Sequence, residues 1–120
     1  MVVALFRSRL RPGQQGEYRE VAVRMLELAR AMPGFVGFKT FAADDGERIS
    51  VVEFESLGAL EAWRDHEEHM DAQRAGRERF YSDYRLQVGE LIRDYGFDGT
   101  NRNQTELDQA NPGDRPNAGD

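Results

Sequence analysis

The residues in this 120-residue chain best suited to chemistry are gathered between His66 and Tyr84, in HEEHMDAQRAGRERFYSDY. Read as one helix at about 100° per residue, the segment places Gly76, His69, Phe80, Gln73, His66, Arg77, Met70 and Tyr81 on one arc, and Glu67, Glu68, Asp71, Arg74, Glu78 and Arg79 on the other. The aromatic and thioether side chains mark the first arc as inward, so an imidazole, an amide and a guanidinium are carried in with them. Each costs free energy there unless a neighbour, a water or a ligand satisfies it. His69, central on the arc, is the candidate proton-transfer group because an imidazole titrates near neutrality; the plainer alternative is a core histidine bonded to a backbone carbonyl or to Tyr81. His66 falls in the first turn, half exposed. Gln73 suits a phenolic or quinone oxygen, or else partners His69. Arg77 either holds an anion in the pocket or pairs with Glu53 or Glu90.

The elements that must position these residues follow from periodicity and turn chemistry. Val2 to Leu10 is β-rich and ends at Pro12-Gly13. Tyr18, Val21, Ala22, Met25, Leu26, Ala29 and Met32 recur at helical spacing until Pro33-Gly34. Phe35 to Phe41 and Arg48 to Phe54 read as a hairpin about Asp44-Asp45-Gly46. Ser56 is the expected N-cap of a short helix burying Leu57, Leu60 and Trp63, and Asp65 with Glu68 forms a capping-box-like start for the helix of interest. Tyr84, Leu86, Val88, Leu91, Ile92 and Tyr95 predict a long last strand with Gly89 as a bulge.

The order βαββαβ predicts an α+β, ferredoxin-like protomer with a four-stranded antiparallel sheet and helices on one face. Apolar residues at both parities, as at Phe35-Val36, Val51-Val52 and Leu91-Ile92, imply that both sheet faces are buried. One chain lacks a second layer, so a homodimer packed sheet against sheet is expected.

Composition narrows the function classes. There is no cysteine, hence no disulfide or thiolate chemistry. His66 and His69 at i, i+3 lack a third metal ligand at suitable spacing. Sixteen basic residues are scattered among 22 acids for a net charge of −6, which argues against nucleic acid as a partner. MVVALF is too short for a leader or a membrane span, so a cytoplasmic protein without membrane contact is expected. From Asp98 onward Leu107 is the lone large apolar residue, so residues 1–97 are read as the domain and 98–120 as a polar tail.

Pro33-Gly34-Phe35, the hairpin, Phe54-Glu55-Ser56-Leu57 before Ala62-Trp63, then His69, Ala72-Gln73-Arg74, Gly76-Arg77, Tyr81, Tyr84 and Tyr95-Gly96-Phe97 resemble the antibiotic biosynthesis monooxygenase domain family. The resemblance implies a dimeric α/β barrel with a pocket between helices and sheet. It also implies O₂-dependent oxidation of a quinol- or polyphenol-like aromatic without metal or flavin. On that reading His69 and Arg77 form the catalytic pair, lowering the substrate's pKa. Trp63, Gln73, His66, Phe38, Met70, Phe80, Tyr81 and Tyr84 would form the substrate wall, dry enough for a radical pair. A related branch degrades haem through a histidine ten residues after the tryptophan. Here that position is Gln73 and the matching first-strand position is Ser8, so haem is not expected unless His66 or His69 substitutes. Trp63 also has a plainer use as packing, and a non-catalytic ligand-binding or structural dimer of the same fold is the alternative function.

Overall fold

A computed structural model describes residues 1–99 of the protein. The element order is β1 (Val2–Leu10), α1 (Gln15–Ala31), β2 (Phe35–Ala42), β3 (Arg48–Phe54), α2 (Leu57–Arg64), α3 (Glu67–Ala75), a π turn (Gly76–Phe80) and β4 (Tyr81–Glu90). The strands form one antiparallel sheet in the order β2-β3-β1-β4. This is the α+β ferredoxin-like arrangement that the sequence predicts.

Alternation along the strands sends one set of side chains toward the helices. Val2 and Ala4 of β1, and Val52 and Phe54 of β3, pack there with Met25, Leu28 and Ala29 of α1 and Leu60 and Trp63 of α2. Gly34 ends the excursion after α1 for two reasons. Its φ of +86° lies in the left-handed region, and a Cβ on it would sit 2.8 Å from the Ala59 Cβ of α2. Ser56 caps α2 as expected, its Oγ accepting from the Ala59 N–H at 3.1 Å. Leu57, expected in the core with Leu60 and Trp63, is half exposed at the first turn.

The segment that carries the chemistry departs from a single helix. The helical stretch stops at Phe80, and Tyr81 already belongs to β4. Gly76 is why the chain can turn so tightly: a Cβ there would lie 2.7 Å from the Tyr81 ring. Arg11 accommodates the orphaned helix-end carbonyls, its guanidinium donating to the carbonyls of Glu78 and Tyr81. The N-cap of α3 is His66 rather than Asp65. The His66 Nδ1 accepts from the Glu68 N–H at 3.2 Å, whereas Asp65 closes α2 and the Glu68 carboxylate is engaged by Arg24 at 2.7 and 2.8 Å.

The last strand is also shifted. β4 pairs with β1 from Leu10↔Tyr81 to Val2↔Glu90, Val2 being the first residue of β1. Gly89 faces Val3 in regular register, and the irregularity lies instead between Arg9 and Leu10. A second departure from regular pairing leaves Val36 unpaired between Phe35↔Phe54 and Gly37↔Glu53.

Met1–Glu90 form one compact unit, and a second begins at Leu91. Its described part, residues 91–99, holds neither helix nor strand, and Ile92 and Phe97 are exposed. The strand expected to run through Leu91, Ile92 and Tyr95 therefore stops short of them. Apart from Asp98 and Gly99, the predicted tail 98–120 lies outside the described residues.

Candidate active site

Between the helices and the sheet lies a cavity of about 210 Å³. Its walls come from every layer: Ala4 and Phe6 of β1, Tyr18, Val21 and Met25 of α1, Phe38 of β2, Ser50 and Val52 of β3, Leu60, Trp63 and Arg64 of α2, His69, Ala72 and Gln73 of α3, Phe80 of the π turn, and Tyr81, Tyr84, Leu86 and Val88 of β4. An apolar cavity of about 150 Å³ is enough to hold benzene, so this one accommodates a small aromatic molecule.

Trp63 is fixed before anything binds. It is 6% exposed, its Nε1–H donates to the Met25 carbonyl at 3.3 Å, and its ring meets Phe38 edge-on and Phe54 at a tilt. His69 stacks on it, with ring centroids 4.1 Å apart and an interplanar angle of 27°. The His69 Nδ1 lies 3.1 Å from the Trp63 carbonyl oxygen. A carbonyl only accepts, so Nδ1 carries the proton and Nε2 is left as the basic nitrogen. Burial pushes the His69 pKa below its usual value, outweighing the opposing effect of that carbonyl bond. The ring is thus a neutral base at neutral pH. Gln73, one turn further on, donates its Nε2 to the Arg64 carbonyl at 3.0 Å, which leaves its Oε1 as an acceptor. The two polar side chains therefore satisfy backbone at the end of α2 and not each other.

Of the residues predicted from the sequence, Phe38, Trp63, His69, Gln73, Phe80, Tyr81 and Tyr84 come together on the cavity wall, and His66, Met70 and Arg77 do not. His66 is occupied as the α3 cap. Met70 is 49% exposed on the outer side of α3. Arg77, projected inward by a 3.6-residue repeat, is exposed because it sits in the π turn, where each turn holds more residues and the phase is lost. It pairs with neither Glu53 nor Glu90.

Sequence reasoning missed the contributions of Phe6 and Tyr18. They join Phe80, Tyr81 and Tyr84 in a set of ring contacts with centroids 5.2 to 6.5 Å apart. Tyr81 is half-buried there, and desolvation followed by the neighbouring Tyr18 holds its phenol far above the usual range, so it stays protonated. Leu86 and Val88, which share the Tyr84 face of β4, pair with Phe6 and Ala4 of β1, so the strand pairing brings Phe6 to the chamber wall.

An aromatic-lined chamber between the helices and sheet of a ferredoxin-like protomer, with a neutral histidine on its wall, is the arrangement this small α+β protein presents. The chain belongs to the antibiotic biosynthesis monooxygenase family, whose profile matches residues 1–75. That stretch ends with α3, so Phe80, Tyr81 and Tyr84 lie beyond it. The chain is 38% identical over 76 residues to the uncharacterized protein YqjZ of Bacillus subtilis (strain 168), covering 63% of this chain and 67% of YqjZ. Among solved structures it is similar to Rv0793 from Mycobacterium tuberculosis, at a TM-score of 0.70 and 19% identity over 79% of this chain and 98% of that one. It is also similar to SnoaB, a cofactor-independent oxygenase from Streptomyces nogalater, at a TM-score of 0.66 and 15% identity over 78% and 94%. At such identities these two likenesses speak for the fold. Among the described residues no three His, Asp or Glu side chains gather as a metal site would require, and no helix is long and apolar enough to cross a membrane.

Proposed function

We propose that the protein is a cofactor-independent monooxygenase that oxidises a small quinol- or phenol-like aromatic with O₂, and that His69 is its general base. The observation that carries this reading is the state of His69: neutral, tautomerically fixed by the Trp63 carbonyl, and set in the wall of an apolar chamber. Family membership and the activity named for SnoaB support it.

The chemistry balances without a further reductant. His69 Nε2 takes the phenolic proton, giving an aryloxide. This anion passes one electron to O₂, and the resulting aryloxyl radical and superoxide couple at an ortho or para ring carbon that bears hydrogen. The peroxide formed regains the proton from His69. Cleavage of its O–O bond with loss of the ring C–H then releases water and leaves a carbonyl on the ring. One atom of O₂ stays in the quinone and the other leaves as water. Aromatic walls exclude bulk water from the charged and radical species, and the Gln73 Oε1 offers an acceptor for a second substrate hydroxyl.

The working unit in this reading is a homodimer. Val3 and Leu5 of β1 and Ile49 and Val51 of β3 lie on the sheet face away from the helices, where they remain half-buried, and Phe41 beside them is 48% exposed. Covering such a face is what a second copy would do. The test of the catalytic reading is O₂ uptake by the purified protein with a panel of quinols. Stoichiometric consumption of O₂ with incorporation of one labelled oxygen atom is the expected result; no uptake with any quinol, alongside tight binding of one, would make the protein a ligand-binding module.

A further inference from the structure

A second recess of about 380 Å³ adjoins the chamber, between α1 and strands β2 and β3, and the two share Tyr18, Ala22 and Phe38 as walls. Its chemistry is the reverse of the protein's overall charge. Among the described residues no Asp or Glu lines it, yet Arg19 and Arg48 do, in a chain whose net charge is −6. Arg48 is the unusual one. It is partly buried, its guanidinium lies over the Tyr18 ring at 5.5 Å, and its Nε is a buried donor with no hydrogen-bond partner among the described residues. A buried unpaired donor on a charged group is costly, and among the described carboxylates Asp45 is engaged by Arg9, Glu47 by Arg7 and Glu17 by Arg79. Lys39 contributes no competing charge to the recess, because its ammonium lies over the Phe41 ring on the other face of the sheet.

We infer that this recess takes an anionic substituent of the ligand whose ring occupies the chamber, so that the substrate is an aromatic carboxylic acid held by Arg48. The inference rests on the chamber's being an aromatic site, and it names which aromatics enter. A guanidinium fork matches a carboxylate with two parallel hydrogen bonds, and no carboxylate among the described residues occupies the Arg48 Nε. Tyr18 stands between the two compartments, its ring against Phe80 and Tyr81 on one side and under Arg48 on the other.

The test is calorimetric titration of the full-length protein with gentisate, a quinol carboxylate, and with its uncharged methyl ester. The intact protein is expected to bind the acid about tenfold or more tightly than the ester, and Arg48→Met to bind the two alike. Arg48→Lys, which keeps a point charge but loses the fork, is expected to show an intermediate preference, and it carries the test if Arg48→Met does not fold. Equal binding of acid and ester by the intact protein, or an undiminished preference in the variants, overturns the assignment of Arg48 while leaving the chamber an aromatic site. Failure of both molecules to bind removes the aromatic reading itself, and this inference with it.

Discussion

His69 owes its properties to two neighbours acting in opposite directions. The chamber strips it of water and lowers its pKa, while the Trp63 carbonyl orients the ring and fixes its tautomer. His69→Ala is expected to lower turnover by about two orders of magnitude or more, read as steady-state O₂ uptake with the fold checked by circular dichroism. Because the base acts in its neutral form, kcat/KM should rise with pH through a midpoint below the ordinary imidazole value and be level through neutrality. The same shift has a stability side: a histidine whose folded pKa is depressed contributes stability that is complete above its unfolded pKa and is lost as pH falls through the folded one. His69→Ala should therefore flatten the acid limb of a denaturation profile. His66→Ala should instead cost about 1 kcal/mol of stability through loss of the α3 cap and leave O₂ uptake nearly intact. His69 and Gln73 could be paired on one inward face from the sequence because they stand one helical turn apart inside α3. Arg77 could not be placed, since a change from α to π pitch leaves no mark in the apolar pattern. Arg48 was likewise illegible: a charged residue opening a strand is ordinary until its surroundings show that no carboxylate among the described residues pairs with it.

The π turn and the start of β4 are a single device. The chain must reverse from helix to strand within a few residues while laying the Tyr81 ring against the helix end, and only a residue without a Cβ leaves room at position 76. Gly76→Ala is expected to destabilise the protein by about 1–3 kcal/mol, the usual range for overpacking, seen as a lower urea midpoint, and to impair substrate binding because Phe80 and Tyr81 line the chamber. Strands β1 to β3 and helix α1 are legible from alternation and from the Pro-Gly and Asp-Gly signals that bound them. The ends of β4 are not, because they are set by the partner strand: pairing begins opposite Leu10 and stops opposite Val2, whatever apolar residues follow. The α3 cap was similarly decided from outside the helix, by Arg24 drawing away the Glu68 carboxylate that a capping box would have used.

For the whole molecule, the open sheet face leads to a prediction about assembly. The protein should sediment as a homodimer at micromolar concentration, and deletion of residues 98–120 should leave it one. Val51→Arg, which puts a charge opposite Leu5 at the middle of that face, should shift it to monomer. A well-folded native monomer would refute the sheet-to-sheet assembly. Added haem is expected to give no stoichiometric, sharp His-ligated Soret band, since Gln73 stands where the haem-degrading branch has its ligand. One-to-one binding abolished by His69→Ala would reverse that expectation. The sheet order leaves β4 at an edge, where Tyr84, Leu86 and Val88 are 42 to 44% exposed while also forming part of the chamber wall. The strand thus serves two boundaries at once, and whatever adds a further strand there would also change how the chamber opens to solvent. Occupancy of that edge then becomes a tap on substrate entry governed by mass action, so that specific activity would drift on dilution even with every residue of the site in place.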